Sequence, residues 1–345
     1  MSTLTGETCQ LAVERGGQQV EHLLHRLAQF YSPEELDLVA RAYLLAEERH
    51  RPQVRSSGEP YITHPVAVAD ILADYRLDAP TLAATLLHDT VEDTPTTLEE
   101  LSAMFGEEIA MLVDGVTKLT SISSRQGRDA PTPRSKQQAQ AENLRKIFLA
   151  MARDLRVILI KLADRLHNLR TLGALRPQKQ EAIATETLEI FAPIASRLGV
   201  FQMKIELEDL SFRYRYPKEY AELVEGLHEL RPVLERAMEE ARQQLQQRLG
   251  ALQIQAKLEW REKHLYSTFR KIQRTQRPLQ AVINAAQQAG PQPGDQALVR
   301  GGYRLAQPQT RSVLIDLDGR SPVRQPDHFT NQAGLTYPNH IVQPC

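Results

Sequence analysis

The chain predicts a mainly α fold, with an all-helical domain over residues 1–200, linker helices and the start of a partial α/β domain over 201–280, and an irregular tail over 281–345. Three observations carry this division. From about residue 18 to residue 250, apolar residues recur three and four apart, as in Leu23, Leu24, Leu27, Ala28 and Tyr31, which is the spacing of one helix face. At Ile254–Trp260 the period changes to two, as on a half-buried strand. Then composition breaks: no Glu follows Glu262, no Lys follows Lys271, and 8 of the 20 prolines lie after residue 277. A stretch so altered is expected to be disordered, or unrelated in origin to what precedes it.

The N-terminal MSTLTGETCQ lacks a basic stretch followed by an apolar core. No run approaches the roughly 18 apolar residues that span a bilayer, so a cytoplasmic protein without membrane contact is expected. Helix starts are marked at Ser32-Pro33-Glu34-Glu35 and Thr97-Leu98-Glu99-Glu100, where a hydroxyl precedes carboxylates that complement the helix dipole. Ser121–Gln138 is polar, holds two prolines and has no helical stripe, which predicts an exposed loop near a site. Val157–Leu172 is a strongly apolar helix carrying Lys161, Asp164, Arg165, His167, Asn168 and Arg170, and is expected to be central. Tyr220–Gln253 reads as one charged helix or a helical pair.

The whole chain has 345 residues, 41% hydrophobic and 25% charged, which is the balance of a globular protein with a substantial core. Lys+Arg 42 against Asp+Glu 43 leaves a net charge of -1, so no global basic field points to nucleic-acid binding and any phosphate recognition must be local. Cys9 and Cys345 have no Cys or His neighbours in ligand spacing, which excludes a zinc or disulfide framework and fits a reducing compartment.

Four pieces of the first half carry chemistry: His64 in GEPYITHP, His88-Asp89 in LLHDTVEDT, Glu92-Asp93 just after it, and Asp164 in KLADRLHN. On a helix His88 and Glu92 are four apart, as are Asp89 and Asp93, so the doublet and two further acids share one broad face. Burying so many unpaired charges is expensive, and a divalent metal removes the difficulty, because two imidazoles and two carboxylates can ligate one ion and leave positions open for water or phosphate. His64, His88, Asp89 and Asp164 are therefore assigned as ligands. Glu92 and Asp93, free of ligation, are assigned to orient or deprotonate the attacking water in a metal-assisted hydrolysis. A lone histidine beside proline is ordinarily a core or helix-start residue, and an HD doublet alone says little; the order H…HD…D with two acids one turn on is what chance rarely supplies. His167, three residues from Asp164, is read as standing behind the ligands or packing.

At these residues the chain resembles the RelA/SpoT homologue family, long bifunctional enzymes that hydrolyse and synthesise (p)ppGpp. The matching words are RSSGEPYITHP, LLHDTVEDT, MLVDGVTKL, VILIKLADRLHNLRTL, IFAPIASRLGVFQMKIELEDLSFRYRYP and REKHLYSTFRK, in family order over roughly residues 20 to 280. The resemblance implies an all-helical HD-type phosphohydrolase domain that binds Mn²⁺ through His64, His88, Asp89 and Asp164, with Glu92 and Asp93 serving the water. It also implies that Arg55, Asn168 and Thr171 bind the nucleotide; positions 164, 168 and 171 share a helix face. Ser56 follows Arg55 where members often carry a second basic residue, a change that weakens phosphate binding without removing a catalytic group.

Arg261, Lys263, His264, Ser267, Arg270 and Lys271 resemble the basic start of the family's synthetase domain, which holds ATP phosphates for transfer to GDP or GTP and uses Mg²⁺. From pattern alone a solvated charged face explains them equally well. The family's later Mg²⁺-binding Asp strand and catalytic Glu have no counterpart after Pro278, and Asp316 and Asp318 sit in the wrong surroundings. The chain past about residue 280 is therefore expected to be truncated or frame-shifted relative to the family, with GTP diphosphokinase activity lost. The expected activity is (p)ppGpp 3′-pyrophosphohydrolysis. Two other readings remain open: a bifunctional enzyme with an unusual C-terminal half, and a catalytically silent nucleotide-binding regulator.

Overall fold

The computed structural model describes residues 6–124, 153–251, 256–259, 264–276, 311–314, 329–330 and 336–337. The chain divides into two compact units, Met1–Pro217 and Lys218–Cys345. Mainly α is the observed class.

The first unit is built from helices joined by short turns and one hairpin. It contains α1 (Glu7–Leu27), α2 (Pro33–His50), α3 (Thr63–Ala73), α4 (Ala79–Leu87), the single turn α5 (Thr90–Asp93), α6 (Leu98–Phe105), α7 (Glu107–Ser124), α8 (Leu155–Arg170), α9 (Pro177–Glu186), α10 (Ala192–Arg197) and α11 (Phe201–Arg215). Local chemistry sets the ends. Ser32 caps α2 in a reciprocal capping box with Glu35, Thr97 Oγ1 accepts from the Glu100 amide at the start of α6, and Gly106 ends α6 at φ 90°, a conformation that favours glycine. A π turn at Thr187–Phe191 joins α9 to α10 just before Pro193, which offers no N–H to a regular helix.

The core lies where α1, α2, α3, α4, α7 and α8 face one another. Leu23, Leu24, Leu27, Leu72, Leu82, Leu86, Leu87, Ile158 and Ile160 are all buried there. Each such side chain contributes about 1.5–3 kcal/mol by leaving water. α4 is buried at every position except Pro80, and α8 presents the Val157–Leu169 run to α3, α7 and α11. These two buried helices bring His88-Asp89 and Asp164 to one place. The unit ends at Pro217 rather than near residue 200 because α11 packs on α8, α9 and α10 through Met203, Leu207 and Phe212.

In the second unit, α12 (Pro217–Ala251) is one helix of 35 residues with Pro232 inside it. β1 (Ala256–Glu259) falls within the stretch where the sequence alternates, and α13 (Leu265–Thr275) follows. The tail expected to be irregular supplies β2 (Arg311–Leu314), which pairs in parallel with β1 from Ala256↔Arg311 to Glu259↔Leu314, and the short antiparallel pair β3 (Phe329–Thr330) and β4 (Thr336–Tyr337). Pairing satisfies backbone groups that a lone strand leaves open. The Ser121–Gln138 loop is helical through Ser124; its remainder lies outside the described residues, as do Asp316 and Asp318.

Candidate metal centre and nucleotide pocket

The site is assembled from four segments of the first unit. A hairpin between α2 and α3, closed by the Val54↔Pro60 bridge and the Arg55 N–H donating to Glu59 O at 2.9 Å, brings Arg55 and Tyr61 to the start of α3. His64 sits in the first turn of α3. α4 begins on the Asp78 cap with a proline in its first turn and stops at Leu87, so His88 and Asp89 occupy the joint before α5. That joint is held by Thr90 Oγ1 donating to Leu87 O at 2.6 Å and by the Asp93 amide donating to Asp89 O at 2.9 Å. The helical turn therefore persists through the break, and Glu92 and Asp93 stay on the side of the doublet. Asp164 comes from the middle of α8.

His64, His88 and Asp164 are 3%, 1% and 4% exposed and Asp89 is 9% exposed, so any charge among them is largely removed from water. His88 Nδ1 lies 2.7 Å from Thr85 O; a carbonyl only accepts, so Nδ1 carries the proton and Nε2 is left as a lone pair. Among the described residues His88 Nε2 is buried without a hydrogen-bond partner, with Asp89 Oδ1 3.2 Å away. His64 Nδ1 lies 2.8 Å from His167 Nδ1, which also accepts from the Arg55 guanidinium at 3.1 Å. His167 Nδ1 is thus an acceptor, His64 Nδ1 donates to it, and the His64 Nε2 lone pair faces Asp164 Oδ1 at 3.2 Å and Asp89 Oδ2 at 3.6 Å. Burial, with His64 and Arg55 beside it, lowers His167 to about 3, which keeps it neutral.

One donor atom each from His64, His88 and Asp89 lies within 4.8 Å of the other two, and Asp164 Oδ1 joins them through His64. Lone pairs of two imidazoles and two carboxylates converging in a buried space repel one another unless a cation sits among them. Donors of this kind, nitrogen and carboxylate oxygen with one buried imidazole nitrogen unsatisfied, fit a divalent metal ion. The cluster is therefore a candidate divalent metal site.

The carboxylates are braced from outside the cluster. Asp164 Oδ2 accepts from Lys161 Nζ at 2.6 Å and Asp164 Oδ1 from Asn168 Nδ2 at 2.6 Å. Burial alone would raise the Asp164 carboxyl, but the Lys161 ammonium beside it outweighs this and holds it well below the usual range. Glu92 is exposed at the rim, where desolvation by the protein beneath it and the Asp89 charge raise its carboxyl. Tyr61 Oη lies 2.7 Å from Asp89 Oδ2 and 2.8 Å from Asp93 Oδ2.

Beside the cluster, and sharing Asp164 with it, is a pocket of about 350 Å³ whose lining includes Arg55, Ser56, Asn168, Thr171, Leu175 and Lys179. The three residues expected at the nucleotide therefore meet in one cavity. Arg55 donates to Asn168 Oδ1 at 2.9 Å, and Thr171, the C-cap of α8, donates to His167 O at 3.3 Å. Arg55 is thus no free surface arginine: its guanidinium lies against the groups that hold His64 and Asp164.

Sequence reasoning missed Tyr61 and left Lys161 without a role. Lys161 had a signal, a lysine three residues before a predicted ligand in an apolar helix. Tyr61 had none within its own element, since its partners lie 28 and 32 residues away. Of the synthetase-like set, Arg261 and Lys263 lie outside the described residues. His264 caps α13, its Nδ1 accepting from the Ser267 amide at 3.4 Å, while Arg270 is exposed and Lys271 half-buried.

A family model described as an HD domain matches residues 42–201. The bifunctional (p)ppGpp synthase/hydrolase SpoT of Escherichia coli (strain K12) is 48% identical over 250 residues, covering 72% of this chain and 34% of that protein. The GTP pyrophosphokinase of Myxococcus xanthus is 45% identical over 246 residues, 71% of this chain and 32% of that protein. The guanosine-3′,5′-bis(diphosphate) 3′-pyrophosphohydrolase of Haemophilus influenzae is 49% identical over 229 residues, 66% of this chain and 32% of that protein. The chain spans about a third of the length of these relatives. Over the matched stretch, with its buried His64, His88, Asp89 and Asp164 inside the HD-domain match, the chain is similar to these (p)ppGpp synthase and hydrolase proteins.

Proposed function

We propose that this chain hydrolyses (p)ppGpp at the 3′ position, adding water across the 3′ O–P bond to give GDP or GTP and pyrophosphate. The observation that carries this reading is the convergence of the His64, His88, Asp89 and Asp164 donors beside a pocket holding a guanidinium. A relative named as a (p)ppGpp synthase/hydrolase and another named as a 3′-pyrophosphohydrolase add support. His64, His88, Asp89 and Asp164 hold the metal, for which we propose Mn²⁺. When bound, such an ion supplies Lewis acidity to the phosphoryl group and to water.

The remaining roles belong to the chain itself. Glu92 and Asp93, on the rim side of the doublet, orient the attacking water and take its proton, and the raised Glu92 carboxyl makes it the better proton acceptor of an ordinary glutamate's kind. Arg55 grips the nucleotide, with Asn168 and Thr171 lining the guanosine end of the pocket. The ligand class is a guanosine nucleotide bearing a 3′ diphosphate; GTP, GDP and ATP are weaker partners that lack it. We place the reaction in the cytoplasm; among the described residues no helix is long and apolar enough to cross a membrane.

The test is pyrophosphate release from ppGpp with Mn²⁺, in the native chain and in Asp89→Ala. Release is expected from the first alone, with metal content lost in the variant. Release that persists in Asp89→Ala overturns the metal assignment, and cleavage of ordinary nucleotides without preference for a 3′ diphosphate overturns the substrate.

A further inference from the structure

Tyr61 closes the hairpin that carries Arg55, and its phenol is the group that joins Asp89 to Asp93 at 2.7 and 2.8 Å. Those two carboxylates differ in task under the function proposed above, since Asp89 is a metal donor and Asp93 serves the water. They are separated by a single helical turn, α5, which follows a helix that stops at Leu87. One turn of helix has little rigidity of its own. Besides the bonds at its own joint, it is held from the end of α2 and the hairpin that follows. Gln53 Nε2 donates to Asp93 O at 2.6 Å, and Gln53 Oε1 lies 2.7 Å from His50 Nδ1. His50 is 1% exposed and its ring stacks on Tyr61, with centroids 4.5 Å apart and planes 17° from parallel. The Tyr61 amide closes the loop by donating to Gln53 O at 3.0 Å.

His50, Gln53 and Tyr61 are therefore one bracket that seizes Asp93 twice, by its carbonyl and by its carboxylate. We propose that Tyr61 is a positioning residue whose O–H, braced by His50 and Gln53, holds the Asp93 carboxylate at a set distance from Asp89, so that water meets Asp93 in one geometry. A phenol has one proton and donates to one carboxylate at a time, and its position between them keeps both within reach. The bracket matters because a displacement of about 1 Å in a group that orients a reactant costs on the order of 100-fold in rate.

The experiment is a kinetic cycle over Tyr61→Phe, Asp93→Asn and the double variant, each assayed on ppGpp and on a plain phosphodiester, bis-p-nitrophenyl phosphate, with Mn²⁺. Phe keeps the ring on His50, so fold and melting temperature are unchanged. Tyr61→Phe should lower kcat by about 10- to 100-fold with KM changed less than about twofold. In the Asp93→Asn background it should cost no further activity, since a residue acting through another loses its effect when that partner is gone. Mn²⁺ affinity of the metal-free protein, read by calorimetry, should fall less than kcat. Native kcat in Tyr61→Phe, a raised KM alone, or independent losses in the double variant would each overturn the proposal. If the native chain cleaves the phosphodiester and leaves ppGpp intact, the substrate assignment fails while the cycle on the phosphodiester still decides the role of Tyr61.

Discussion

His167 shows how one side chain can serve two masters. It accepts from Arg55, which belongs to the pocket, and from His64, which belongs to the metal cluster. Its acceptor nitrogen fixes the His64 tautomer, and partners of this kind typically govern metal affinity by 10–100-fold. His167→Phe keeps the ring's bulk and removes the acceptor, and should weaken Mn²⁺ binding to the metal-free protein by about 10-fold or more, measured by titration calorimetry. Unchanged affinity would mean that packing alone orients His64. His50 supports a different prediction. Burial, the first cause, lowers its pKa below the usual imidazole value, so the folded chain resists a proton that the unfolded chain accepts. The stability this contributes is present above about pH 6.5 and is lost as pH falls below it. Metal-free protein should therefore melt at lower temperature at pH 5 than at pH 7, and His50→Phe should flatten that slope. An equal slope in the variant would assign the acid sensitivity to other groups.

At the level of elements, α7 and α8 approach closely because residue 115 has no side chain: a Cβ there would lie 2.7 Å from Val157 Cγ2 and 3.2 Å from Val157 Cγ1. Gly115→Ala should cost about 1–3 kcal/mol by overpacking. Val157→Ala in the same chain should return part of that loss, so that the two changes together are less harmful than their sum, as denaturant midpoints would show. Additive losses would mean that the helices simply separate. The helices themselves were readable, because burial on one face writes its period into the chain, and so were the caps at Ser32 and Thr97. The site was readable as far as it is local: His88, Asp89, Glu92 and Asp93 lie on one short stretch, and the carboxylates need a cation wherever they are buried. Tyr61 and Gln53 were not readable, since their bonds to Asp89 and Asp93 join a hairpin to a helix joint and leave no periodic trace. The extension of the first unit to Pro217 escaped notice for a related reason: α11 is helical like its neighbours, and only its packing on α8, α9 and α10 assigns it to them.

For the molecule as a whole, the division into two units separates the chemistry cleanly. Every residue of the metal cluster, its braces and the adjoining pocket lies between His50 and Glu186, inside Met1–Pro217. The buried leucines and isoleucines that position α4 and α8 belong to the same unit. A chain ending at Pro217 should consequently unfold in one cooperative transition and keep the native preference for a 3′ diphosphate, with kcat on ppGpp within about twofold of the full chain. Pyrophosphate release and thermal melting of the two proteins side by side make the comparison. If the shorter chain folds cooperatively but loses turnover, the second unit takes part in hydrolysis. If it fails to fold, the hydrophobic core of the first unit depends on residues beyond α11.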